Sequence, residues 1–154
     1  MTGMTGRTAE QLAEQVAQTM MVGDRFSALL GSELIKAGPD YCELQLNVGD
    51  SHINNHDICH GGVFFTLADT AFAVACNAGN QIAVAQFCQI SFLAPGRKGD
   101  RLSARARRVG GTSRSGLYDV EITRLSDGAL LAAFRGHSRQ LNGQVISNPE
   151  AEGT

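Results

Sequence analysis

An acid in the middle of an apolar helix pattern is the first feature of this chain that could do chemistry. From Val63 to Cys76 only Thr66, Asp69 and Thr70 interrupt the apolar run. A buried carboxylate is costly unless it is paired, hydrogen-bonded or set in a cavity. Asp69 could serve as a general base, as a nucleophile, or as an acid tied to backbone donors. Eight positions earlier, Gly61 and Gly62 fall at the expected helix start. First-turn amides lack intrahelical acceptors and carry the positive end of the helix dipole, and glycine lets a ligand oxygen come close to them. Such an end can hold a developing oxyanion, or the glycines can simply make a tight turn. Eight helical positions span about 12 Å, too far for Gly61 and Asp69 of one chain to act on one carbonyl. Two antiparallel copies of the helix across a two-fold axis would bring one chain's Gly61 near the other's Asp69. A site built this way requires an obligate homodimer with two equivalent sites.

Other candidates carry less. His52, His56 and His60 recur at spacing four, but they lie ahead of the helix among Asn54, Asn55 and Asp57. Helical stacking does not operate there, so no metal site is expected. His60 is expected to orient the loop or bond backbone, and His137 to lie on a strand face. No serine-centred elbow or phosphate loop is present. The arginines between Arg97 and Arg139 alternate around strands and turns, the pattern of solvated sheet faces, with a subset able to grip phosphates.

These groups sit in 154 residues with formal net charge −2. That length predicts one domain with a sizeable core. Near-balanced charge gives no electrostatic case for nucleic acid or an anionic membrane as partner. The central helix is too short, and its acid too central, for a membrane span. Cys42, Cys59, Cys76 and Cys88 show no CxxC spacing, and reduced, buried thiols are expected. The N-terminal stretch lacks a long apolar run, so no signal peptide is expected and the location read from the sequence is cytoplasmic.

The elements that must position the site follow in chain order. Residues 1–7 read as a disordered tail, 8–145 as a single domain and 146–154 as a C-terminal tail. Thr8 and Gln11 form a capping-box pattern ahead of a helix carrying Leu12, Val16 and Met20 to about Val22. Asp24 is placed to cap a second short helix that Gly31 stops. Glu33 to Ala37 is a weak strand, and from Tyr41 the residues Cys42, Leu44, Leu46 and Val48 alternate against polar neighbours. Four strand patterns follow the central helix. The first puts Ile82, Val84, Cys88, Ile90 and Phe92 on one face, and the last begins with Leu130, Ala132 and Phe134 together. Short turns make neighbouring strands antiparallel, and the apolar helix is the obvious cover for the sheet. The expected class is α+β: a curved antiparallel sheet wrapped around a long central helix, the hotdog arrangement, with short N-terminal helices.

The segments CHGG, LADTAFA and ACN, together with FLAPG and GLYDVEI, resemble the phenylacetic acid degradation thioesterases (PaaI), hotdog-fold acyl-CoA hydrolases. The resemblance covers about residues 31–145. It implies hydrolysis of aryl-acetyl-CoA thioesters such as phenylacetyl-CoA or hydroxyphenylacetyl-CoA to free acid and CoA, with no cofactor besides the CoA of the substrate. By position it makes Asp69 the catalytic acid and the Gly61 amide the carbonyl-polarising donor. Gly62, His60 and Asn54 belong to the same catalytic group. Phe65, Thr70, Phe72, Ala85 and Gln86 are the expected substrate-binding residues, and the expected assembly is a homodimer that pairs into a dimer of dimers. The chain departs from the family at Gly23-Asp24, where related enzymes often carry Asn, and at Ala85 and Gln86, where others use Ser or Thr. Two other readings remain: a hotdog dehydratase using His60 with Asp69, and a non-catalytic acyl-CoA-binding protein, which would have no use for Asp69.

Overall fold

The computed structural model describes residues 6–147, so the two expected tails fall largely outside it. Helix α1 (Ala9–Gly23) starts where the sequence requires. Thr8 Oγ1 accepts from Gln11 N at 3.1 Å and Gln11 Oε1 accepts from Thr8 N at 2.9 Å. That reciprocal box satisfies two first-turn donors. Asp24 caps α2 (Arg25–Leu30), and Gly31 ends it at φ 81°, a left-handed conformation that costs glycine little.

Six strands form one antiparallel sheet: β1 (Glu33–Gly38), β2 (Tyr41–Asn47), β3 (Gln81–Phe92), β4 (Arg101–Gly111), β5 (Ser115–Arg124) and β6 (Leu130–Gln144). Their spatial order is β1-β2-β4-β5-β6-β3, so β1 and β3 are the edges. Helix α3 (Gly61–Asn77) touches every strand. Six strands span about 24 Å at the usual spacing, while a helix is only about 10 Å across. One helix reaches all six only because the sheet curls around it. This is the expected hotdog arrangement.

The core lies between α3 and the concave face of the sheet. Leu67, Ala68, Ala71 and Phe72 of the helix meet Leu44, Leu46, Leu102, Ala104 and Ile122, all fully buried. Each large side chain so placed contributes about 1.5–3 kcal/mol. Phe72 packs edge-on against Tyr118 at 5.6 Å and tilted against Phe134 at 5.8 Å. Strand β6 passes over this ring at Gly136, where an added Cβ would lie 2.8 Å from Phe72.

Two facing patterns differ from expectation, and bulges are the reason. The β3–β6 register shifts between Ala85 and Phe87. Ala83 is buried before the shift, whereas Cys88 and Ile90 turn inward after it. Val84 is therefore exposed rather than sharing a face with Cys88. A second shift, between Ile122 and Thr123 in the β5–β6 pairing, turns Leu131 inward and leaves Leu130 exposed. An extra residue in one strand reverses every facing beyond it.

Asn77 ties the end of α3 to the start of β3. Its Nδ2 donates to the carbonyls of Ala73 at 2.8 Å and Ala83 at 3.0 Å, and its Oδ1 accepts from Ala83 N at 2.9 Å. Asn77→Ala strands a buried donor and acceptor on Ala83, and should cost about 2–4 kcal/mol. Urea unfolding should show a lower midpoint at unchanged slope. A midpoint equal to wild type would mean that these bonds do not hold the junction.

Candidate active site

The loop before α3 is held by its own polar side chains. His52 is buried, and its Nδ1 accepts from Gly49 N at 3.0 Å while its carbonyl accepts from His60 N at 2.8 Å. Asn54 Oδ1 accepts from His56 N at 2.9 Å and Ile58 N at 3.3 Å. Those two bonds fix the amide's orientation and leave Nδ2 as a donor. His56 is exposed. The three histidines do not converge, because His52 and His60 each spend a ring nitrogen on a different backbone amide.

His60 caps α3. Its Nδ1 accepts from Gly62 N at 2.8 Å, and its carbonyl accepts from Val63 N at 2.9 Å. Of the first three helix amides, only that of Gly61 has no acceptor among the described residues. Within the expected catalytic group, the Gly62 amide is thus engaged by the imidazole and the Gly61 amide is left without an acceptor. The missing side chain of Gly62 still matters, since a Cβ there would lie 2.9 Å from His60 Nδ1. At Gly61 a Cβ would lie 3.0 Å from the Phe92 ring. The Gly61 amide faces a cleft of about 500 Å³ lined by Asn54, Ile58, Gly61, Phe64, Phe92 and Pro95, among others.

Asp69 opens on a different cleft, of about 450 Å³, whose walls include Met20, Ala73, Cys76, Ala83 and Ala85. It is half-buried, and among the described residues the one hydrogen-bond partner near its carboxylate is a thiol, Cys88 Sγ at 4.0 Å from Oδ1. Burial pushes its carboxyl above the usual carboxylate value, and the Asp24 carboxylate raises it further. Burial likewise pushes the thiols of Cys76 up to about 12 and Cys88 to about 11. Both thiols therefore stay protonated beside the Asp69 carboxyl.

The expected substrate-binding residues divide. Ala85 lines the Asp69 cleft, and Gln86 is exposed at the β3 bulge. Phe65 is half-buried with its ring edge-on to Phe134 at 5.5 Å. Thr70 is buried, its hydroxyl 2.9 Å from that of Ser27. Phe72 is 0% exposed and packs into the core, and it also forms part of the wall of the Asp69 cleft. Cys88, Asp24 and Ser27 are neighbours that the sequence does not place beside Asp69 and Thr70. Only the fold brings them to Asp69, across 19 to 45 positions of chain.

The model of the thioesterase superfamily matches residues 56–130, which include Gly61 and Asp69. Acyl-coenzyme A thioesterase PaaI of Escherichia coli (strain K12) is 38% identical over 133 residues, 86% of this chain and 94% of that protein. This chain belongs to the thioesterase superfamily. The solved structure of the E. coli PaaI protein from the phenylacetic acid degradation operon aligns with a TM-score of 0.86 at 37% identity, covering 89% of this chain and 99% of that one. A mutant of phenylacetic acid degradation protein PaaI from Thermus thermophilus aligns with a TM-score of 0.73 at 34% identity, covering 77% of this chain and all of that one. The resemblance read from CHGG and LADTAFA is borne out, as is the hotdog fold.

In this thioesterase-superfamily protein the raised Asp69 carboxyl has a thermodynamic signature. The folded state holds the Asp69 proton more tightly than the unfolded chain. Stability from this group is therefore full below the ordinary value of 3.8 and is lost as pH rises through the raised folded value. Asp69→Asn removes that loss. The variant should melt higher than wild type at neutral pH, and the gap should shrink as pH falls toward 3.8. A gap of constant size across this range would show that Asp69 ionises freely in the folded state.

Proposed function

We propose that the protein is a cytoplasmic acyl-CoA thioesterase acting on aryl-acetyl-CoA thioesters, with an active site shared between two protomers. The observation that carries this reading is the pairing of an unsatisfied Gly61 amide with a half-buried Asp69 on one helix, opening on separate clefts. About 12 Å of helix separates them, so each protomer holds half of two sites.

The free edge of β3 supports a dimer. Strand β3 runs alongside α3, with Phe92 over Gly61, Cys88 against Asp69 and Ala83 bonded to Asn77. On α3 the partly exposed positions Gly62, Phe65, Thr66, Asp69, Ala73 and Cys76 form one stripe that the protomer's own sheet leaves uncovered. Pairing two β3 edges about a two-fold axis continues the sheet and sets the stripes together in opposite directions. The Gly61 end of one helix then meets the Asp69 cleft of the other. The proposed assembly pairs two such dimers into a dimer of dimers.

In this site the partner subunit's Gly61 amide donates to the thioester oxygen, with Asn54 Nδ2 from the same cleft as a second donor. These contacts strengthen as the oxygen becomes an oxyanion. Asp69 takes a proton from water as the water oxygen bonds to the acyl carbon. The carbon–sulfur bond breaks, the proton passes to the CoA thiolate, and free acid leaves. A carboxylate whose proton affinity is raised by burial suits this role. The reaction draws on no metal, so EDTA should leave turnover unchanged. Loss on chelation with recovery on zinc would reopen the histidines.

Asp69→Asn should fold, bind acyl-CoA and lose orders of magnitude in thiol release across phenylacetyl, benzoyl and fatty acyl substrates. Near-normal release from the folded variant would make Asp69 structural. The shared site has a sharper test. Gly61→Pro removes the free amide at a first-turn position whose backbone suits proline, with the Phe92 ring having to give way, so the variant is first checked to be folded and dimeric. Mixed with Asp69→Asn and allowed to exchange, it should give about half heterodimer, each with one intact site, and so roughly a quarter of wild-type activity. Confirmed heterodimers as inactive as both parents would sink the shared site.

A further inference from the structure

Beside Asp69 the structure contains a buried polar chain that the catalytic scheme above does not use. Asp24 Oδ1 accepts from Ser27 N at 3.0 Å, and its Oδ2 accepts from Ser27 Oγ at 2.7 Å. Ser27 Oγ lies 2.9 Å from Thr70 Oγ1. Ser27 is fully buried and Thr70 nearly so. A serine hydroxyl has one proton, and a carboxylate can only accept. That proton therefore goes to Asp24, and Thr70 must be the donor to Ser27. The Thr70 proton is turned away from its neighbour Asp69, toward α2.

We propose that Asp24 and Ser27 are positioning residues for Asp69. Asp24 anchors Ser27, Ser27 anchors Thr70, and together they fix the α3 turn that presents Asp69 while holding a second negative charge against it. This rests on the thioesterase reading for its kinetic consequence but not for its electrostatic one. The titratable groups facing Asp69 are Asp24 from α2, Cys88 from β3 and Cys76 from α3 itself. Both thiols are held protonated, which leaves Asp24 as the charged neighbour among the described residues.

Asp24→Asn keeps the helix cap, since asparagine serves there as well as aspartate. Its Oδ1 must still accept from Ser27 N, so its amide nitrogen faces Ser27 Oγ and donates to it. The Ser27 proton is then forced onto Thr70, which reverses the chain, and the like charge is gone. Ser27→Ala instead cuts the link to Thr70 and keeps the charge.

The test compares both variants with wild type in the dimeric full-length protein. Asp24→Asn should move the acid limb of kcat/KM to lower pH and, as a weaker base results, lower the plateau kcat about tenfold with KM little changed. Ser27→Ala should lower kcat by a similar factor with the acid limb unmoved. A purely structural role would shift melting temperature and leave the limb where it is. The carboxyl 13C titration of Asp69, assigned by its loss in Asp69→Asn, needs no turnover. It should move to lower pH in Asp24→Asn and not in Ser27→Ala. An unmoved Asp69 titration in folded Asp24→Asn overturns the proposal, as does wild-type kcat in both variants. Lack of acyl-CoA hydrolysis by wild type overturns only the thioesterase reading, because the titration still reports the coupling.

Discussion

The burial of α3 is the constraint on which the other features depend. A helix apolar around most of its circumference must be covered on most of it, and a flat six-stranded sheet cannot do that. The curl of the sheet, the glycine over Phe72 and the contact of one helix with every strand all follow. So does the environment of Asp69. The stripe left open is narrow, and an acid placed in it is desolvated without being sealed from water. Its proton affinity rises for the same reason that the core is stable.

Division of labour along the helix then comes from its rigidity. The N-terminus offers backbone donors, and His60 removes one of them from use by capping Gly62. Specificity of that end for a single oxygen is thereby narrowed to the Gly61 amide, with the Asn54 amide beside it. The acid lies more than two turns away on the same rod, where its neighbours are a thiol and a second acid rather than donors. One end is electropositive and the middle carries a carboxyl of raised proton affinity, and no rotamer change within one protomer can merge them.

Much of this was legible in the sequence because it is local or periodic. Thr8 with Gln11, the mostly apolar run after Gly62 and the alternation from Cys42 to Val48 each state their structure within a few residues. The role of His60 as a backbone acceptor was also readable, from its place at the helix start. What escaped were features created by register and by distant contacts. The Ala85–Phe87 bulge reverses facing without any compositional mark, so Val84 and Cys88 could not be told apart from periodicity. Ser27, Thr70 and Asp24 meet because α2 lies on α3, and no spacing in the chain encodes that meeting. That the imidazole engages Gly62 was not readable either, because a glycine pair at a helix start does not say which amide the preceding side chain will take.

Strand β3 carries one further consequence. From Gln81 to Phe92 it contains no charged residue and no proline, yet it lies at the sheet edge with Val84, Phe87 and Phe92 exposed. Edges of that kind usually carry a lysine, a proline or a covering loop that discourages the wrong neighbour. Here the twelve-residue strand presents an edge that is interrupted where Ala83 bonds Asn77, and its selectivity rests on shape, through the bulge, rather than on charge repulsion. An uncharged edge of this kind is open to wrong pairing until its own neighbour has been made. Its hydrogen bonds to β6 form with the C-terminal strand, late in the chain, so the segment best suited to recruit a second copy is also the one that waits longest for its own sheet.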